Sequence, residues 1–383
     1  MPTKLLGREL CLLVQRVFVP GPQDHALAII ADLPDEKNPD NPDWQVRRTL
    51  AWEWSKLLDE AKADLNFERV SLAWYRNSGS NNADLPSNCV LSDSNTIPAN
   101  ATDIGAKPTV QFSELFATHS MIMAPTELSA TAPLKVAARG KSFRAATMPG
   151  FTPAMIPALK IDYTEVNRRV GLLKNLCDPA EEARIRWRTE KTRYELCLDL
   201  RYRTAHASGG LFPENGIAGN LPSGETYIVP YEGEKPGDPS RSAGELPVQI
   251  GDEVVVFEVA GNRALQVLTT GPASEAEMKL LQAEPAYANL AELGLGVLGD
   301  FGLKPVGSIL LDEKLGLHIA FGRSDHFGGI VGPSDFSSPE AVIHLDRVYI
   351  PDSQPKIVVE EVCLVGSEGD RVIMRENRYT KVF

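Results

Sequence analysis

The spacing of apolar residues changes near residue 192, and this change limits the fold more than any other feature of the chain. Beyond it, Tyr194, Leu196 and Leu198 alternate with mostly polar neighbours, which is the period of a half-buried strand. Further segments of strand length follow at residues 225–229, 253–259, 263–268, 341–350, 356–365 and 371–375. The carboxy-terminal half is therefore predicted to be strand-rich, with glycine and proline in its turns.

The amino-terminal half combines helical and strand-like spacing. Residues 26–32 (ALAIIAD) and 69–75 are short apolar runs of strand length. Between them, Leu50, Trp54 and Leu58 recur at helical spacing, with charges on the other side. Alternating helices and strands favour an α/β layer with a largely parallel sheet. We predict an α/β domain at residues 1–165, a connecting helix or pair of helices at 166–190, and a strand-rich α+β domain at 191–383.

Composition excludes several classes of protein. The 383 residues include 39 Lys and Arg against 51 Asp and Glu, a formal net charge of −12, which opposes binding to nucleic acid or anionic lipid. No stretch approaches the roughly 18–20 uncharged apolar residues that span a bilayer, and the charged residues among the first 13 do not suit a signal peptide. The five cysteines form no CxxC pair and suit free thiols. We expect a cytoplasmic protein with neither nucleic acid nor a membrane as partner.

The histidines are clustered. Three of the six, His318, His326 and His344, fall within 27 residues, and Asp346 follows two positions after the last of them. On a strand, His344 and Asp346 would project from the same face, and imidazole with carboxylate is a donor set for zinc, iron, manganese or cobalt. Taken alone, an HxD triplet on a strand is more often a buried polar pair or a surface ladder, and His318 by itself is more often a core histidine with a hydrogen-bond partner. The histidines alone therefore leave a metal site open.

Two glutamates are further candidate ligands. Glu225 follows Pro222 and Gly224 at a predicted junction of loop and strand, and Glu292 lies in the glycine-rich segment LAELGLGVLG. A single glutamate is more often surface charge than a ligand. These two count as candidates only in combination with the histidines.

Four short motifs occur together: NLPSGE at 220–225, AELGLG at 291–296, LGLHIAFG at 315–322 and IHLD at 343–346. In this order and approximate spacing they resemble the aminopeptidase T type of metallopeptidase. The resemblance is clearest beyond about residue 190, and it extends upstream through TAPLK at 131–135 and RAATMPG at 144–150.

The resemblance implies a site for a pair of divalent ions, which would be zinc, cobalt, manganese or iron(II). The implied ligands, one of them a bridging carboxylate, are Glu225, Glu292, His318, His344 and Asp346. Three carboxylates would offset much of the charge of two ions, and a bridged water would have a lowered pKa. The resemblance also implies a homodimer that acts on a peptide or another small molecule.

The chain departs from the family pattern at one position. The family has a tyrosine about seven residues beyond the first histidine, whereas this chain has Asp325 there and His326 beside it. We predict that Asp325 or His326 takes a catalytic role as ligand or proton donor. A plain loop is the alternative interpretation, because glycines surround both residues.

The leading prediction is a metal-dependent, aminopeptidase-like hydrolase in which a metal-bound hydroxide attacks an amide or peptide bond. Dihydroxypyridine dioxygenases resemble these peptidases and use one non-haem iron held by two histidines and a carboxylate. His318, His344 and Asp346 could form that triad, although the two glutamates weigh against it. A non-catalytic scaffold without metal is the third alternative.

Overall fold

The computed structural model describes residues 4–93, 96–367 and 369–383. The chain divides into two compact units, and neither unit is one continuous segment. Unit 1 takes its residues from 1–165 and 210–223, and unit 2 from 166–209 and 224–383. Within the described ranges, no helix has both the length and the apolar character needed to cross a bilayer.

The helices and strands are numbered along the chain. The α-helices of the described residues are α1 (Gly7–Phe18), α2 (Pro42–Glu60), α3 (Phe112–Thr118), α4 (Thr131–Ala138), α5 (Tyr163–Cys177), α6 (Pro272–Ala283) and α7 (Ile309–Asp312). The strands are β1 (Ala26–Leu33), β2 (Arg69–Arg76), β3 (Asn88–Leu91), β4 (Val110–Gln111), β5 (Met121–Ala124), β6 (Arg144–Thr147), β7 (Ala180–Arg188), β8 (Arg193–Asp199), β9 (His206–Ser208), β10 (Ala218–Asn220), β11 (Glu225–Ile228), β12 (Ala243–Ile250), β13 (Glu253–Ala260), β14 (Arg263–Val267), β15 (Leu290–Gly296), β16 (Leu317–Gly322), β17 (His344–Tyr349), β18 (Val358–Gly366), β19 (Arg371–Arg375) and β20 (Arg378–Tyr379).

Unit 1 is built on a seven-stranded sheet with the order β10-β6-β5-β1-β2-β3-β4. The strands from β10 to β2 are parallel to their neighbours, and β3 and β4 add an antiparallel edge. Every residue of β1 is buried, as expected for a central strand of a parallel sheet covered on both faces. The mixed α/β fold predicted for this half is therefore confirmed.

Helix α2 shows why the local sequence folds as it does. Asn41 precedes it, and the side-chain Oδ1 of Asn41 accepts a hydrogen bond of 2.8 Å from the backbone N–H of Trp44. Pro42 occupies the first helical position, where a missing N–H costs nothing. Trp54 and Leu58, one turn apart, are buried on the same side of the helix.

We expect Asn41→Ala to lower the free energy of unfolding by about 1 kcal/mol, because the first turn of α2 loses its cap. Chemical denaturation followed by circular dichroism measures this change. Asn41→Ser is the matched control, since serine keeps an oxygen acceptor and should retain most of the stability. Equal losses in both variants would assign the effect to the amide contact of Asn41 with Glu127 instead of the cap.

Unit 2 contains two antiparallel sheets. One has five strands in the order β17-β16-β15-β11-β9, and the other has eight strands in the order β14-β13-β12-β8-β7-β18-β19-β20. The strand-rich character predicted beyond residue 192 is thus present. The five-stranded sheet carries the five predicted metal ligands.

The segment 166–190, predicted as a connecting helix, is helical only as far as Cys177. Pro179 follows and cannot continue a helix, because it lacks the N–H and restricts the preceding residue. Beyond it, Ala183, Ile185 and Trp187 are buried at every second position, so β7 forms and pairs with β8 and β18. The charged residues between them, which suggested a helix face, lie on the other face of a strand.

Candidate metal centre

Neighbouring strands of the five-stranded sheet bring the predicted ligands together. Glu225 is the first residue of β11, Glu292 lies in β15, His318 in β16, and His344 and Asp346 in β17. These four strands are adjacent and antiparallel. All five residues therefore lie close to one another, although they are far apart along the chain.

Small residues between the ligands make room for them. Gly294 of β15 is paired with Tyr227 on one side and with His318 on the other. A β-carbon at Gly294 would lie 1.8 Å from the His318 ring, so the ring occupies space that only a glycine leaves free. Ala320 of β16 is likewise a small residue next to a candidate ligand, because it is paired with Asp346 of β17.

Glu292 lies at the centre of the group. Its Oε1 is 3.3 Å from Nε2 of His318, and its Oε2 is 3.3 Å from Nε2 of His344. His344 Nε2 is also 3.6 Å from Asp346 Oδ1, and His318 Nε2 is 3.5 Å from Glu225 Oε2. Two sets of three residues thus share Glu292, and within each set the potential ligand atoms lie within 4.8 Å of one another.

Both histidine rings are oriented by backbone carbonyls. Nδ1 of His318 is 3.2 Å from the carbonyl oxygen of Gly316, and Nδ1 of His344 is 2.8 Å from that of Arg323. A proton on Nδ1 satisfies each carbonyl and leaves the lone pair of Nε2 directed at the carboxylates. This orientation is typical of histidines that bind metal ions.

The carboxylates of the group stabilise positive charge on the two histidines. Burial alone would lower the pKa of His318, but its hydrogen bond to Glu292 and the nearby carboxylates raise that pKa to about 9. The pKa of His344 is raised against the same desolvation by Asp346 and Glu292. Burial would raise the pKa of Glu292, yet the two histidines lower it. The carboxylates that hold protons on these rings would equally stabilise a cation.

The donor set fits a divalent ion. Glu225, Glu292 and His318 are buried. The side chain of His344 is 20% exposed and that of Asp346 only 6%, so solvent reaches the group at His344. Oε2 of Glu225 is buried and accepts no hydrogen bond from the described residues. Carboxylate oxygen and imidazole nitrogen suit zinc, cobalt, manganese and iron(II).

A buried lysine next to these ligands was missed by the sequence analysis. Nζ of Lys314 is 3.0 Å from Oε1 of Glu225, and it also pairs with Glu313. Burial would lower the pKa of Lys314, but the two carboxylates raise it, so the ammonium form persists. The only signal in the sequence is a charged Glu-Lys pair immediately before an apolar strand, which is common at surfaces.

Aromatic rings adjoin the site and form what we call the ring cluster: His206, Tyr227, His326, Phe327 and His344. The Phe327 ring lies 5.4 Å from His344 and 4.8 Å from Tyr227, and the latter stacks on His206 at 5.1 Å. Tyr227 lies two residues after Glu225 on β11, so both project from the same face. Burial and the charges of Glu225 and Glu292 raise its pKa. Tyr227 is not among the residues predicted from the sequence, although its spacing of two positions from Glu225 is a usable signal.

Asp325 and His326, the predicted catalytic pair, lie beside the candidate metal ligands and outside the two sets of three residues. Asp325 forms an ion pair of 2.5 Å with Arg323, and its Oδ1 is 3.5 Å from Nδ1 of His326. The His326 ring lies 5.4 Å from that of His344. Burial lowers the pKa of His326 to about 4, and the charges of His344 and Arg323 act in the same direction. The catalytic role of the pair stays a prediction.

A mixed α/β fold with a cluster of carboxylates and imidazoles defines a candidate metalloenzyme. Two solved structures share this fold. The chain matches the 2,5-dihydroxypyridine dioxygenase from Pseudomonas putida KT2440 with a TM-score of 0.61, 14% identity and 99% of each chain covered. It matches wild-type AmpT from Thermus thermophilus with a TM-score of 0.54, 14% identity and 98% of each chain covered.

The resemblance to the aminopeptidase T type and to dihydroxypyridine dioxygenases is thereby confirmed at the level of the fold. No family model matches the chain. No curated protein matches it either. At 14% identity the fold is shared, and the reaction has to be argued from the site itself.

Proposed function

We propose that the chain is a metal-dependent enzyme, and that it cleaves a hydroxylated pyridine or a similar aromatic ring with iron(II) and dioxygen. The ring cluster carries this proposal, because it places aromatic faces directly beside the candidate ligand His344. Flat aromatic molecules bind well against such rings. The fold shared with a 2,5-dihydroxypyridine dioxygenase supports the same substrate class.

His344 and Asp346, which form one ligand set with Glu292, would hold the ion, and His318 on the other oxygen of Glu292 would supply the second imidazole. Two imidazoles and a carboxylate are the ligands of non-haem iron oxygenases. Ferrous iron would supply the one-electron chemistry that allows dioxygen to react with an aromatic ring. Phe327 and Tyr227 would orient the substrate ring by stacking. The neutral imidazole of His326, which lies beside the half-buried His344, would accept the proton of a substrate hydroxyl group.

Anaerobic reconstitution with ferrous iron, followed by a panel of hydroxylated pyridines and phenols, tests this proposal. We expect one dioxygen to be consumed for each ring opened, with loss of the aromatic absorbance. Reconstitution with zinc is the matched control and should give no oxygen uptake. An iron-loaded protein that consumes no oxygen with any member of the panel would contradict the dioxygenase proposal.

A metal-dependent hydrolase of the aminopeptidase type is the second candidate. It is favoured by Glu292, whose two oxygens face two different histidines, because a carboxylate in this position can bridge two ions. Asp325 or His326 would then take up the proton of the attacking water. Release of amino acids from amides or short peptides by the zinc-, cobalt- or manganese-loaded protein tests this candidate, and the absence of release with all three metals counts against it.

A further inference from the structure

Lys314 is an unusual neighbour for a metal site. Its side chain is fully buried, and its ammonium group has carboxylates of Glu225 and Glu313 as ion-pair partners. A buried lysine is retained only where carboxylates compensate its charge, because the desolvation of an isolated ammonium group is costly. One of the two compensating carboxylates, Glu225, is also a predicted metal ligand.

Packing fixes the position of this ammonium group. Lys314 lies in a short turn immediately before β16, and a β-carbon at Gly296 would lie 2.3 Å from the backbone of Lys314. The turn therefore packs directly on β15, the strand that carries Glu292. Because the side chain is enclosed, its charge cannot be moved into solvent when another cation arrives.

The two sets of potential ligands differ in whether they include an ion-pair partner of Lys314. The first set, Glu225, Glu292 and His318, includes the carboxylate that already balances the lysine. The second set, Glu292, His344 and Asp346, contains neither of the two ion-pair partners of Lys314. A divalent ion bound to Glu225 would lie within about 5 Å of the ammonium group, where repulsion between cations in a protein interior is strong.

We infer that Lys314 takes the place of a second metal ion, so that the chain binds one divalent ion, and that Glu225 is the counter-ion of Lys314 and not a metal ligand. This inference rests on the proposed metal-dependent function and adds the number of divalent ions that each chain binds. A site with one ion, two imidazoles and open positions is the arrangement used for oxygen chemistry, whereas a pair of ions is the arrangement used to clamp a substrate for hydrolysis.

Metal titration of the wild-type protein is the first test. The chelator-treated protein is titrated with cobalt(II), or with iron(II) under anaerobic conditions, and the bound ions are counted by native mass spectrometry and calorimetry. We expect one ion per chain. Two ions per chain would overturn the inference, leave metal dependence in place and favour the hydrolase over the dioxygenase. A protein that binds no ion would overturn the proposed metal-dependent function itself.

Two variants test the roles of Lys314 and Glu225 separately, and the first of them replaces the lysine. Lys314→Met, which keeps the volume of the side chain, should lower the melting temperature without metal and raise the stoichiometry to two ions. A folded variant that still binds one ion would overturn the inference. Lys304→Met, at an exposed lysine of unit 2, is the matched control and should leave both values unchanged.

Glu225→Gln gives an answer even where Lys314→Met does not fold, because the glutamine carbonyl still accepts a hydrogen bond from the lysine. This variant should keep one ion, with an affinity within about threefold of wild type, whereas Asp346→Asn should weaken binding by more than about tenfold. A comparable loss in Glu225→Gln would identify Glu225 as a ligand and overturn the inference. The readout is metal binding, so it does not depend on the identity of the substrate.

Discussion

His344→Ala should release the metal ion and lower the rate of turnover by at least about a thousandfold, because a metal ion supplies several kcal/mol of transition-state stabilisation. His344 is oriented by the carbonyl of Arg323 and faces both Glu292 and Asp346, so its loss removes an imidazole nitrogen that is already directed at the carboxylates. Elemental analysis after gel filtration measures the bound metal, and steady-state kinetics measure the turnover.

His25→Ala is the matched control for this prediction, since His25 is a half-exposed histidine of unit 1. It should retain both metal and activity. If His344→Ala kept a full complement of metal while the control behaved as expected, the ion would have to be bound elsewhere. The proposed function would then lose the site on which it rests.

Gly294→Ala should disrupt the site without touching a ligand. The added β-carbon would lie 1.8 Å from Nε2 of His318, so the ring has to move away from Glu292. We expect the metal affinity to fall by about 10- to 100-fold, as it does when the partner that orients a ligand is lost. Overpacking of the buried strand should cost about 1–3 kcal/mol of stability. Calorimetric metal titration and thermal unfolding measure the two effects.

Gly171→Ala provides the control for the glycine substitution. Gly171 lies in α5, and among the described residues no heavy atom outside its own helix backbone lies within 4 Å of the added β-carbon. This change should leave metal affinity unaltered and raise stability slightly, because alanine favours a helix. Unchanged affinity in Gly294→Ala would mean that His318 does not contribute to the ion's binding.

Local patterns predicted much of the fold and part of the site. The apolar run of β1 and the alternation in β8 are visible in the sequence because burial on one or both faces selects residues at a fixed period. The HxD spacing placed His344 and Asp346 on one face for the same reason. Glu225 and Glu292 were weak candidates from their local sequence, and only the resemblance joined them to the histidines as one ligand set, since no local rule relates two glutamates on separate strands.

The remaining features depend on contacts between distant parts of the chain. Lys314 pairs with Glu225, which lies 89 positions earlier in the chain. Within its own turn Lys314 follows Glu313, and such a pair is ordinarily found at the surface. The burial of Lys314 therefore cannot be predicted from that turn. Phe327, in the loop between β16 and β17, contacts both Tyr227 on β11 and His344 on β17, so three separate segments have to meet to form the ring cluster. The error in segment 166–190 arose in another way, because charges at alternate positions of a strand were interpreted as one side of a helix.

The return of the chain to unit 1 as β10 also has a consequence for synthesis. Because β10 pairs with β6 at the edge of the parallel sheet, the nascent polypeptide cannot complete that sheet until residue 220 has left the ribosome. By then the first 44 residues of unit 2, positions 166–209, have already emerged. Translation therefore cannot finish the amino-terminal unit before it begins the unit that carries the candidate metal centre, and the folding of the two units must overlap in time.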